Sequence, residues 1–81
     1  ISFEASNSII TAMNAAKDKN LKPLMQLGLS HGDLEQLAEL KLPSQQGMTA
    51  MAKNLNASEA SIQSMIQTLM KAAAHPQEQR D

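Results

Sequence analysis

The sequence predicts an all-α fold: a small orthogonal or bundle-like domain of four to five short helices. Three observations lead there. Helix formers dominate, with twelve Ala, ten Leu, eight Gln and six Met. Strand formers are scarce, with five Ile, three Thr, one Phe and no Val. The apolar residues also recur every three or four positions and almost never alternate. The 81 residues and 42% apolar content suit one folded unit, expected over 1–75, followed by a polar, disordered tail over 76–81.

The first helix should start near Phe3, capped by Ser2, with Glu4 in the turn where its charge complements the helix dipole. Ala5, Ile9, Ala12, Met13 and Ala16 make its apolar stripe, which Ile10 widens. Lys17-Asp18-Lys19-Asn20 ends it. A short second helix follows, capped by Asn20, with Pro23 tolerated in its first turn. Leu21, Leu24, Met25 and Leu27 form its apolar side. Gly28 is a left-handed stop, with Leu29 folded back over the last turn.

Ser30 caps a third helix, with Asp33 at the reciprocal capping-box position. Leu34, Leu37 and Leu40 should be buried there, and Glu35 and Glu39 exposed. Leu42-Pro43-Ser44 is both a stop and a new start. The fourth helix carries Met48, Met51, Ala52 and Leu55, weakened by Gly47. Asn56, with Glu59 three residues on, reads as the cap of the fifth. Ile62, Met65, Ile66, Leu69 and Ala73, with Met70 alongside, give that helix a stripe close to a helix-pairing seam. His75-Pro76 should end it.

Several function classes are excluded or disfavoured. There is no Cys, hence no disulfide, thiolate zinc site or thiol nucleophile. No apolar run is longer than three residues, as in Ala72–Ala74, far too short to cross a membrane as a helix. No basic start leads into an apolar core, and the expected compartment is the cytoplasm. His31 and His75 read as solvated turn histidines, neither with a second ligand at helical spacing. Asp33, Glu35 and Glu39 read as a capping and solvated face, without pocket-forming aromatics around them. The chain lacks phosphate-binding glycine motifs. No enzyme activity, metal or cofactor is expected.

Seven basic against eight acidic side chains leave a net charge of −1. That disfavours autonomous nucleic-acid binding. Residues 41–74 hold three Lys against Glu59, a local charge of +2, so Lys41 and Lys53 are the candidate phosphate contacts within a larger complex. Six methionines are many for so short a chain, and Met serves both irregular cores and adaptable partner surfaces. A core of this size supplies about 3–5 kcal/mol, so stabilisation by association is expected. Ile62, Met65, Ile66, Leu69 and Met70 are the first candidate partner face; Met48 and Met51 are the second.

The stretch Leu24-Met25-Gln26-Leu27-Gly28-Leu29-Ser30, continuing through Leu37-Ala38-Glu39-Leu40-Lys41-Leu42-Pro43, resembles the FlhD family of bacterial transcriptional regulator subunits. The family has a similar Leu-Gly helix stop, a short helix and a Leu-Ala-x-Leu-x-Leu-Pro turn. With the preceding helix the likeness spans about residues 8–43. It implies a helical, dimerising subunit that meets promoter DNA chiefly through a zinc-binding FlhC-like partner. It also implies fold-defining roles for Gly28, Leu29, Leu37, Ala38, Leu40, Leu42 and Pro43. Ser44-Gln45-Gln46-Gly47 and the fifth helix depart from the family pattern, and the family's cysteine is absent. The expected function is therefore regulatory, through protein–protein contacts, as a homodimer or hetero-oligomer. The alternative is a helical adaptor, secretion chaperone or antagonist that grips one protein target and never meets DNA.

Overall fold

The computed structural model describes residues 1–74. The expected tail over 76–81 and the His75-Pro76 stop lie outside the described residues. Five helices run in chain order: α1 Phe3–Lys17, α2 Lys22–Gln26, α3 His31–Ala38, α4 Gln45–Leu55 and α5 Glu59–Ala74. No strand occurs among the described residues. α1 packs on α2 and α5, and α4 packs on α5, so α1 and α5 each join two neighbouring helices.

Local chemistry sets the helix starts. The Ser2 hydroxyl accepts from the Ala5 N–H at 3.1 Å. Ser44 does the same for Gly47 at 3.1 Å. Ser30 and Asp33 form the full reciprocal capping box. Two expected caps differ. Asn20 only holds the Lys22 N–H at 3.4 Å, and the α2 cap position is Leu21, with no side-chain bond. Asn56 ends α4 in the left-handed region at φ 54°, and α5 is started by Ser58, which accepts from the Ser61 N–H at 3.1 Å. Ser58 lies two residues beyond Asn56, nearer the first helical turn, and so it serves as the cap.

The helix ends share one device. α1, α2, α3 and α4 each close with an N–H bonded back five residues: Asn20 to Ala15, Leu29 to Leu24, Lys41 to Gln36 and Ala57 to Ala52. The turning residue in each has positive φ: Lys19, Gly28, Leu40 and Asn56. Only one of the four is glycine. Leu40, expected in the core, is 50% exposed because it occupies this turn. Leu21 and Met25, expected on a buried side of α2, are likewise exposed. A five-residue helix buries little more than one side chain, and here that is Leu24.

Ile9, Leu24, Met51, Ile62 and Ile66 are the largest fully buried side chains. Met48, Met70, Leu29 and Leu34 complete the inner layer with small Ala5, Ala12 and Ala52. Five of the seven residues expected to meet a partner are therefore interior: Ile62, Ile66, Met70, Met48 and Met51. α4 and α5 pack their apolar stripes against each other, which uses the seam within the chain.

Candidate functional site

Two places in the fold gather side chains from several elements. The first is a polar node at the α3–α4 junction. Asp33 is buried there, yet both carboxylate oxygens are served. Oδ2 accepts from the Ser30 N–H at 3.0 Å, and Oδ1 accepts from the Ser44 N–H at 2.8 Å. Burial pushes its pKa up, but the bonds donated by Ser30 and Ser44 outweigh that and hold it below the ordinary aspartate value. Gly47 lies against this carboxylate; a Cβ there would overlap Asp33 and approach the Leu29 side chain at 3.0 Å. One residue thus caps α3 and orders the start of α4. The node is fully paired, and nothing in it is directed at a ligand.

The second place is an apolar groove of about 400 Å³, open to solvent along one side. α1 contributes Met13, Asn14, Ala16 and Lys17. Leu21 and Leu24 come from the start of α2, and Leu34, Leu37 and Ala38 from α3. Leu69, Ala72 and Ala73 close it from α5. Small side chains enter the lining from three helices: Ala16 of α1, Ala38 of α3, and Ala72 and Ala73 of α5. Short side chains between packed helices leave a hollow that Leu or Met would fill. The only polar side chains in the lining are Asn14 and Lys17, both from α1.

Of the first candidate face, only Met65 and Leu69 keep accessible surface. They do not act together. Leu69 lines the groove, whereas Met65 borders a separate shallow depression with Ile1, Ser61, Ser64 and Thr68. The candidate phosphate contacts also separate. Lys41 pairs with Glu39 at 3.3 Å on the surface after α3, and Lys53 stands in the last turn of α4, where its charge suits the helix dipole.

Sequence reasoning named Met13, Leu21, Leu24, Leu34 and Leu37 but assigned them all to stripes facing a core. The available signal was the small-residue run Ala72–Ala74 at the end of the longest stripe. A run of alanines opposite leucines does not fill its layer. His31 is exposed at the first position of α3. Among the described residues no three His, Cys, Asp or Glu side chains gather as a metal site would require, and no helix is long and apolar enough to cross a membrane.

No family model, curated protein or solved structure matches the chain.

Proposed function

We propose that this chain is a small helical regulatory subunit that works by docking a protein partner in the groove between α1, α2, α3 and α5. One observation carries this reading. The isoleucines of α5 and the methionines of α4 are consumed by the chain's own core, while a hollow lined mainly by leucines and alanines stays open. Its volume lies within the roughly 300–1,000 Å³ of ligand pockets. Accommodating a partner's apolar side chains is what such a surface does well.

The likeness to FlhD over residues 8–43 supports placing that docking in bacterial transcription control, in the cytoplasm. In that setting the partner is an FlhC-like protein or a second copy of the chain, and DNA is met only within the complex. Lys41 and Lys53 then act as accessory phosphate contacts. The adaptor reading shares the groove but not the DNA.

The test is a tagged capture from native cells, run in parallel with a groove-blocked form carrying Leu37→Arg and Ala73→Arg. Both sites are accessible, so the blocked form should keep its helical circular dichroism. A protein retained by the native chain and lost by the blocked form is the partner. The purified pair should then bind promoter DNA with an affinity that falls steeply with salt. A pair that ignores DNA makes the chain an adaptor. A partner retained equally by the blocked form removes the groove from the reading.

A further inference from the structure

Resting on the groove reading, we infer that the occupant is an amphipathic helix with an acidic flank, aligned so that its carboxylates meet the α1–α2 junction. The argument is charge complementarity at one end of an apolar trough. Residues 17–22 hold Lys17, Lys19 and Lys22 against Asp18, a local charge of +2. Lys17 itself lines the groove, and Lys22 directly follows the lining residue Leu21. Among the described residues none of these three lysines forms an ion pair. The α3 part of the lining is different. Beside Leu37 and Ala38, Glu39 is already engaged by Lys41, leaving Glu35 as the exposed acid of α3 with no ion pair among the described residues. Lys17 is therefore the one charged side chain in the lining, within a segment of local charge +2, and a bound helix gains by presenting acids to it.

The shape favours a helix over a small amphiphile. The groove draws its lining from four helices and stays open along one side, with Leu21 still 40% exposed. A small ligand is usually enclosed over most of its surface. A helix needs only one face covered, through apolar anchors spaced i, i+3 or i+4, and i+7. The lysines have long stems that lie along apolar surface while their ammonium groups reach outward to a flank. Screening makes the contact salt-dependent, while the apolar contact is not.

The experiment uses two labelled Ala-rich helical peptides of about 15 residues with the same Leu anchors. One carries Glu on its flank and the other Lys. Anisotropy titration against the full chain at low salt should favour the Glu peptide by about tenfold. Lys17→Glu with Lys22→Glu should reverse that preference. Reversal also shows that the variant is folded, since it then binds the Lys peptide. Equal affinity of both peptides for the native chain overturns the acidic flank and leaves the groove reading standing. Binding of both peptides unchanged by Leu37→Arg places them elsewhere and overturns the groove as well. Displacement of the Glu peptide by dodecanoate, with tighter binding than either peptide, makes the occupant a fatty-acid-like amphiphile and overturns the helix. Failure of all three probes at millimolar concentration overturns the docking site itself.

Discussion

At the scale of single residues, the Asp33 carboxylate explains a glycine that local propensity disfavours. Gly47 weakens the first turn of α4 by about 1 kcal/mol relative to alanine. An alanine Cβ there would overlap a carboxylate that cannot swing aside, because Ser30 and Ser44 both hold it. Gly47→Ala should therefore destabilise the domain by about 1–3 kcal/mol, against the propensity trend, as a lowered urea midpoint. Asp33 also sets an acid limit. Its pKa is lower in the folded chain than in the unfolded one, so its stabilisation is fully present above about pH 4 and is lost as pH falls through the native value. Urea midpoints taken at pH 7 and pH 3 should drop toward acid. Asp33→Asn should flatten part of that drop while lowering the pH 7 midpoint, because Ser30 and Ser44 donate to different carboxylate oxygens and the amide NH2 would face one of those N–H groups. The capping box was legible as Ser-x-x-Asp; the bond to Ser44 was not, since it spans eleven residues.

At the scale of elements, four helix ends repeat one turn with four different residues. Gly28 suits it at φ 116°, and a side chain there would also press on Ala50. The Leu27 carbonyl beside it is held by the Asn54 side-chain amide at 2.8 Å, so α4 finishes the end of α2. Lys19 and Leu40 adopt positive φ without that freedom, which costs an L-residue about 1–2 kcal/mol. Leu40→Gly should accordingly stabilise the domain by about 1 kcal/mol, read as a higher melting temperature, because its exposed side chain contributes little packing. No change, or a loss, would mean that Leu40 covers more apolar surface than its exposure indicates. The start of α5 shows a similar division of labour. Glu59 supports its first turn and also accepts from the Thr49 hydroxyl at 3.0 Å and from the Gln45 amide, tying α5 back to α4.

At the scale of the whole molecule, the central fact is where the long stripe of α5 went. Its spacing fits a seam between subunits as well as a seam between two helices of one chain. The structure spends it internally, with Ile66 packed among core side chains from other helices. Ile66→Ala should cost about 2–5 kcal/mol, close to the whole stability of a domain this size. Denaturation monitored across a range of protein concentrations separates the cases: a midpoint independent of concentration marks an intramolecular core, and a rising midpoint marks a subunit seam. The radius of gyration, 12.0 Å, is what a packed chain of this length should have. The groove is therefore a shaped surface of a tight fold rather than a loose core.

The sequence by itself determined the helical class, a count of four to five helices, three serine caps and the Gly28 stop. Those features depend on neighbours within a turn or two: hydroxyls beside free N–H groups, apolar residues at helical spacing, a glycine where φ is positive. Tertiary structure alone decided which stripes face inward, why Gly47 must be glycine, and where the hollow lies. Ile62, Met65, Ile66 and Leu69 carry equal apolar weight in the sequence, yet two are core, one lines the groove and one borders another surface. That sorting depends on which helix arrives opposite each position. Helix arrival is set by packing between residues far apart in the chain, which periodicity along one helix does not encode.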